Sequence, residues 1–455
     1  MNKQLSLELE GLLLKQLHGK MMIMHSPEER MLITLAALEE TLKEQPDFVQ
    51  DMPTLRERKA FIKNFLSYGV IEELLCDVEV EDIIINGLKP IYIHHNQKGF
   101  VPTQHRFGSH MELNMFVQKL LVFAGRNTYR KIANLELPNL GGRVNVVDSP
   151  MGCQLTITKS KVDPLSVIDL IKCGTMSFEV AGQLWLYLEG LSIRPANIII
   201  AGGPGTGKTT LLNALLSFIP EKDRMVIIED TLELNTFLED SCSRLETDDE
   251  VSLSDLVKNS LRMRPERVIV GEVRGEEARD MITAVNIGKY CMGTIHALTA
   301  REAIIRLQNE PMNVPETLVN MIDVFIILKR YHVDDRMFRV VDEVSETSGM
   351  ENMKVLLSQV FKYNYDQKKV VAMSPSTVYR DRLAHQSGMS PRDILNETWV
   401  RALVLKTMAD KGISTIKEVS TFCRFFALDP TEAMTRIGMD RKQVLRDLNN
   451  KPVSQ

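Results

Sequence analysis

The chain has 455 residues, about three times the length of a typical single domain, so two or three domains are expected, each with its own core. Fifty-five Lys and Arg against 60 Asp and Glu leave a formal charge of −5, with 44% apolar and 25% charged residues, an ordinary soluble composition without the broad positive field of a dedicated nucleic-acid binder. The six scattered cysteines, Cys76, Cys153, Cys173, Cys242, Cys291 and Cys423, contain no C-x-x-C pair, which argues against a zinc ribbon or a disulfide framework and fits a reducing cytoplasm. No apolar run reaches the roughly 18 to 20 residues needed to cross a bilayer. The opening MNKQLSLELEG lacks the charged, apolar and small-residue order of a secretory signal. Any membrane association is therefore expected to run through a partner protein.

From Leu5 to about Lys43 apolar residues recur at helical spacing, most clearly at Leu32, Leu35, Leu38 and Leu42, predicting packing helices. Between Glu81 and Gln104 the β-branched runs DIIING and PIYIHH flank Asn86-Gly87, which predicts a hairpin with its turn there. His94-His95 has no spaced metal partner and reads as surface or strand edge. A helical segment, ELNMFVQKLLVFAG, precedes the extended runs NLGGRVNVV and CQLTITK, so the amino-terminal part is expected to be α+β and to end near Lys159.

SKVDPLSVIDLIKCG reads as a connector leading into a helix, with Asp163-Pro164 marking its start and Gly174 its end. Beyond it ANIIIAGG, RMVIIEDT, ERVIVGEV and CMGTIHA are apolar strands alternating with helical sequence, the pattern of a mostly parallel sheet covered on both faces. After about Gly349 a hairpin (KVLLSQVFKYN, then KKVVAMS) and short amphipathic helices up to Asn450 form an accessory region. The expected division is 1–60 helical, 61–160 α+β, 161–175 linker, 176–349 P-loop domain and 350–455 carboxy-terminal accessory region.

The strongest motif is Gly202-Gly203-Pro204-Gly205-Thr206-Gly207-Lys208-Thr209, a G-x-x-x-x-G-K-T loop between the strand NIIIA and the helix TLLNALL. Its glycines let successive backbone N–H groups turn inward on phosphate oxygens, helped by the positive end of the following helix. Gly203, Pro204, Gly205, Thr206, Gly207, Lys208, Thr209 and Thr210 are the expected phosphate cradle, with Lys208 bridging the β- and γ-phosphates and the Thr209 hydroxyl a Mg²⁺ ligand. The strand RMVIIED ends in Glu229 and Asp230, followed by Glu233, and RVIVGEVRG ends in Gly271-Glu272 with Arg274 two residues on. The latter resembles a Walker B element with glutamate as its acid. Of such carboxylates one holds Mg²⁺, which gives Thr209 and Glu272 as metal candidates, while another polarises the attacking water. His296, in GTIHA, reads as a γ-phosphate sensor or hydrogen-bonding relay. Arg262, Arg264, Arg267 and Arg274 crowd the second acidic strand, and one or two of them are expected to touch phosphate.

Taken in order, IIIAGGPGTGKTTLLNALL, VIIEDTLEL, RLET, LRMRPERVIVGEVRG and GTIHA resemble the Walker A, Asp box, Walker B and His box of the secretion ATPases that power type II and type IV secretion, type IV pili and archaella. The resemblance runs from about Gly69 to Leu328. It implies a RecA-like α/β P-loop domain preceded by a PAS-like α+β domain. Without a tetracysteine motif, and with the tail LAHQSGMSPRDILNETW, the chain is more similar to the archaeal branch. The resemblance assigns Glu229 as general base, Glu272 as Walker B acid, His296 as the His-box histidine and Arg143, in GGRV, as an arginine that closes onto nucleotide. Where the family pattern resembles L-T-I-R-K, this chain has Leu155-Thr156-Ile157-Thr158-Lys159, so charge there must come from Lys159; Asp248, Asp249 and Glu250 follow RLET where relatives are often basic.

The resemblance further implies ATP and Mg²⁺ as cofactors, a hexameric ring, and docking on a polytopic membrane platform at the cytoplasmic face, with no direct nucleic-acid contact. Such a ring motor would drive assembly of a type IV pilus-like filament or protein secretion. A DNA-translocating ring ATPase and a nucleotide-binding scaffold with little hydrolysis are the alternatives left open by the residues.

Overall fold

The computed structural model describes residues 3–22, 24–95, 98–126, 131–136, 142–150, 152–159, 164–234, 241–248, 250–333, 336–352, 354–373 and 378–450. Asp163 and Asp249, singled out in the sequence, lie outside the described residues. The chain divides into two compact units, Met1–Val162 with Thr231–Glu233, and Asp163–Asp230 with Leu234–Gln455.

In the first unit, helices Lys3–Leu17, Pro27–Glu44 and Leu55–Leu66 enclose a core of Leu9, Leu13, Leu17, Leu38, Leu42, Ile62 and Phe65. Ser26 and Thr54 start the second and third of these helices with reciprocal capping boxes to Glu29 and Glu57. The buried stripe of Pro27–Glu44 is Thr34, Ala37, Leu38, Thr41 and Leu42, whereas Leu32 is exposed. At 100° per residue, Leu32 projects away from the arc shared by positions 34, 38 and 41, so the expectation that it packs is corrected. The expected boundary at 60/61 falls inside helix Leu55–Leu66, and this bundle shares its core with Val122 and Phe123 of helix His110–Phe123.

The remainder of this unit is an antiparallel sheet of β1 (Val80–Asn86), β2 (Tyr92–His95), β3 (Gly99–Pro102), β4 (Ile132–Glu136), β5 (Gly142–Ser149) and β6 (Gly152–Lys159), ordered β3-β2-β1-β6-β5-β4. Gly87, at φ 62°, lets the chain leave β1 immediately after Asn86 and return as β2, with Ile84 opposite Tyr92. His94 lies on β2 with Nδ1 3.3 Å from Glu81.

The second unit holds β7 (Ile198–Gly202), β8 (Met225–Glu229), β9 (Cys242–Glu246), β10 (Arg267–Val270), β11 (Tyr290–Ile295), β12 (Val324–Val333), β13 (Arg336–Glu351), β14 (Lys354–Asn364) and β15 (Lys369–Ala372). Their order is β15-β14-β13-β12-β7-β11-β10-β8-β9, with β12 through β9 parallel and β12 through β15 antiparallel. Buried side chains alternate between two cores: Ile198, Ile200, Ile227 and Ile269 enter one, and Ile199, Val226, Ile228, Val268 and Val270 the other. Two covered faces explain why these strands read as unbroken apolar runs. The fold is therefore α/β, an amino-terminal antiparallel sheet followed by a mixed, mostly parallel one.

Two expected boundaries are corrected here. The cut at 349/350 passes through β13, because the antiparallel strands extend the same sheet and helices Pro391–Asp410 and Ile416–Leu428 complete its core, with Val400, Leu405 and Phe426 buried alongside Trp185 and Phe218. The span 161–175 contains the expected helix, at Val167–Lys172, and because Val167 and Ile168 are buried in that core, this helix is packed structure rather than linker. Among the described residues no helix is long and apolar enough to cross a membrane.

Candidate functional site

The P-loop leaves β7 and enters helix Lys208–Leu215 through Gly207, which caps the helix at φ 91°, a conformation that favours glycine. Gly205 is likewise left-handed at φ 67°. A Cβ on Gly202 would stand 2.5 Å from the Thr206 hydroxyl and 2.8 Å from the Leu328 carbonyl, so this first glycine is required by close approach. Thr206 Oγ1 donates to the Gly203 carbonyl at 2.8 Å, holding the loop closed on itself. Gly203, Pro204, Thr209 and Thr210 complete the loop and first helical turn, so the sequence-expected cradle forms one continuous element.

Around this loop the parallel sheet assembles the acids and the histidine. Glu229 ends β8, Glu272 follows β10 by two residues, and His296 follows β11 directly. Carboxyl ends of adjacent parallel strands are where open α/β sheets bind ligands. Lys208 Nζ lies 3.2 Å from the Gly203 carbonyl and 3.3 Å from His296 Nδ1. On its other side His296 Nε2 is 2.7 Å from Glu272 Oε1, and Arg274 donates to Glu272 Oε2 at 2.6 Å. Arg274 also reaches toward Asp230, at 3.7 Å. A neutral imidazole accepts from Lys208 at Nδ1 and keeps its Nε2 proton beside Glu272 Oε1, close in distance but not aligned as a hydrogen bond.

Electrostatics follow from this packing. Burial lowers the Lys208 ammonium below the usual lysine value against the attraction of Glu272. For Glu272, burial pushes upward, but the Arg274 hydrogen bond and charge, with His296 and Lys208, hold the carboxyl below its ordinary value. Burial, then the Lys208 charge, lowers His296 in spite of Glu272, which supports the neutral ring. Asp230 moves the other way, raised by burial against the pull of Arg274.

Glu229 is buried at 3% exposure; its Oε1 accepts from the Leu234 N–H at 3.0 Å, and Arg244 stands 3.8 Å from Oε2. Gly271 makes room for it, since a Cβ there would come within 2.9 Å of Glu229 Cγ. Lys208, His296, Glu272, Arg274 and Asp230 thus form one connected chain, and Glu229 lies in the same sheet beside Arg244.

Type II/IV secretion system proteins, as a family, match residues 67–330 of this sequence. The chain belongs to that family. An uncharacterized Methanocaldococcus jannaschii protein, MJ0900, is 33% identical over 381 residues, 79% of this chain and 68% of that protein. The probable conjugal transfer protein TrbB of Sinorhizobium fredii is 30% identical over 272 residues, 56% of this chain and 81% of that protein. Among solved structures, the pilus retraction motor PilT with bound ADP aligns at 15% identity and a TM-score of 0.46, covering 84% of this chain and 99% of that one.

Other sequence candidates in this family member make contacts within their own unit. Arg143, on β5, pairs at 2.8 Å with Glu233, which is grouped with the same unit. Lys159 is tied to the carbonyls of Asp77 (2.5 Å) and Leu74 (3.4 Å), with its amine lowered by burial. Arg267 is buried against Asp223 at 2.5 Å, at the start of β10 rather than at its end. Arg262 belongs to the short turn Leu261–Met263, which Arg264 closes at φ 53°. Of the four crowded arginines only Arg274 joins the chain at Glu272.

Two residues that sequence reasoning missed stand at the P-loop. Arg339 Nε donates to the Gly205 carbonyl at 3.0 Å, and a Cβ on Gly205 would meet Arg330 Nη1 at 3.0 Å. Arg330 and Arg339 face each other across the β12–β13 ladder. The alternating runs FIILKRYHV and RMFRVVDE carry the strand signal, but pairing is needed to place either arginine.

Proposed function

We propose that this chain is an ATP-hydrolysing ring-motor subunit that powers assembly of a type IV pilus-like filament or protein secretion at the cytoplasmic membrane. The observation that carries the hydrolytic part is the setting of Glu272: Arg274 donates to one of its oxygens, His296 stands 2.7 Å from the other, and the same His296 turns its second nitrogen toward the P-loop lysine. Family membership supports the assignment to secretion machinery.

In this reading the loop N–H groups and Lys208 hold the β- and γ-phosphates, where fixed donors stabilise charge as it develops. Glu229 orients the attacking water and takes its proton while the water oxygen bonds to the γ-phosphorus and the bond to the β–γ bridging oxygen breaks, releasing ADP and phosphate. His296 positions Glu272 and senses the phosphate through Lys208. The hard oxygen donors Thr209 and Glu272 suit Mg²⁺, which binds few protein oxygens and keeps water and phosphate ligands. When bound, Mg²⁺ neutralises phosphate charge.

The test is ATP turnover by wild type, Lys208→Ala and Glu272→Gln. Each substitution is expected to lower turnover by about 100-fold or more, and undiminished rates in both remove the assignment. A hexamer in native mass spectrometry and co-purification of a polytopic membrane protein support the motor; a monomer at all concentrations with ATP opposes it. A second reading, DNA translocation, is favoured by the match to a conjugal transfer protein. Salt-sensitive stimulation of turnover by DNA selects it.

A further inference from the structure

The antiparallel extension of the second unit brings two arginines onto the phosphate loop. Arg339 Nε donates to the Gly205 carbonyl at 3.0 Å, and its side chain runs along the loop, with Cδ 3.7 Å from where a Cβ on Gly207 would stand. Arg330 Nη1 lies 3.0 Å from the Cβ position of Gly205. The two residues are direct partners in the β12–β13 register, so both side chains leave one face of the ladder toward the same glycine.

Among the described residues no carboxylate neutralises this pair. Both residues are exposed; Arg339 bonds to the Gly205 carbonyl, and Arg330 makes no hydrogen bond or ion pair with a described residue. The neighbouring cation is treated differently. Lys329, one residue before Arg330 and on the opposite face, lies 2.9 Å from Asp342, a fully buried carboxylate that also takes Lys362 at 2.8 Å. Like charges directly opposite each other on an antiparallel ladder destabilise it, and that cost falls away when an anion stands beside them.

We propose that Arg330 and Arg339 are positioning residues for the nucleotide's phosphates, acting through the loop and through their charge; this rests on the reading of the loop as the ATP site. The Gly205 carbonyl and the Thr206 N–H belong to one peptide. Arg339 draws charge at the carbonyl end, which strengthens the N–H end as a donor to a phosphate oxygen. Arg330, with no protein partner to neutralise it, adds positive potential to a loop that lies well within a Debye length of about 8 Å. Two strands outside the parallel ladder therefore contribute to nucleotide affinity, and the contribution grows with phosphate charge, so a triphosphate gains more than a diphosphate.

Calorimetric titration of the full-length chain with the β,γ-imido analogue of ATP and with ADP, beside thermal unfolding of the nucleotide-free protein, tests this in wild type, Arg330→Met, Arg330→Lys and Arg339→Met. At low ionic strength each Met variant is expected to bind the analogue about three- to tenfold more weakly, with a smaller loss for ADP and a deficit that shrinks as salt is added. Arg330→Lys keeps the charge and is expected to bind as wild type does. The nucleotide-free Tm of Arg330→Met is expected to equal or exceed that of wild type, because one of two like charges is gone; an arginine with a merely structural role would lower it. In steady state both Met variants are expected to raise KM with kcat nearly unchanged, the pattern of binding shared by ground and transition states. Wild-type affinity in both Met variants, a loss equal for the analogue and ADP, or a loss that Arg330→Lys does not recover overturns this inference and leaves the P-loop assignment in place. A wild type that binds the analogue no better than Lys208→Ala overturns both.

Discussion

His296 Nε2 lies 2.7 Å from Glu272 Oε1 while its Nδ1 faces Lys208 Nζ at 3.3 Å, so one imidazole joins the P-loop lysine to the acid after β10. His296→Ala is therefore expected to lower the rate of phosphate release by about 10- to 100-fold, within the range for a positioned acid–base or relay group, while nucleotide affinity changes less. Steady-state kinetics beside nucleotide titration check both.

Because burial and Lys208 hold His296 below the usual histidine value, the folded chain binds fewer protons there than the unfolded chain at mildly acid pH. Stability contributed through this group is thus present above the ordinary histidine pKa and lost as the pH falls from that value toward the lowered one. Protonation also sets an Nδ1–H against the Lys208 ammonium. Turnover is expected to decline on the acid side with that lowered pKa, and His296→Gln is expected to flatten the slope of Tm against pH in the same window.

Gly271→Ala places a methyl group 2.9 Å from Glu229 Cγ. The buried carboxylate must shift, so the substitution is expected to cost about 1–3 kcal/mol in stability by overpacking and to lower turnover about tenfold or more by misplacing Glu229. Thermal unfolding and ATP turnover of the same preparation measure the two effects separately; wild-type turnover in a folded variant would remove Glu229 from the mechanism.

Arg401 is 1% exposed, donates to both oxygens of Glu189 at 2.9 and 3.0 Å and to Glu397 at 2.8 Å, and lies over the rings of Trp185 and Phe426. Arg401→Ala strands the buried Glu189 carboxylate, leaves Glu397 with Arg441 alone and opens a cavity. A loss of about 3–5 kcal/mol is expected, visible as a lower midpoint in urea, because the carboxy-terminal helices complete the core of the second unit.

Arg143→Ala tests the role that the family motif assigns to GGRV. It is expected to lower turnover by about tenfold while leaving nucleotide affinity nearly unchanged, the pattern of a contact made in the transition state. An unchanged kcat returns Arg143 to its ion pair with Glu233.

Local signals carried far in some places. The turn at Asn86-Gly87 and the P-loop glycines are legible because each is decided by its own backbone and near neighbours, whereas the caps at Ser26, Thr54 and Ser166 emerge only with the helices they start. Leu32 shows where this stops: its place in a helix was readable, but which face of that helix is buried depends on what packs against it. The boundary expected at Gly349 fails for a related reason, since a strand looks the same in sequence whether it ends a domain or extends a sheet.

By itself the sequence determined the phosphate loop, the apolar strands and the acids at their ends, because these follow from residue type and short-range spacing. Tertiary structure decided their adjacency. In the chain the order is Lys208, Glu229, Glu272, His296; across the sheet the strands run β7, β11, β10, β8, which sets His296 between Lys208 and Glu272. Arg330 and Arg339 at Gly205 were likewise invisible beforehand. Strand order and register are fixed by the burial of whole faces over long sequence separations, and no local spacing encodes them.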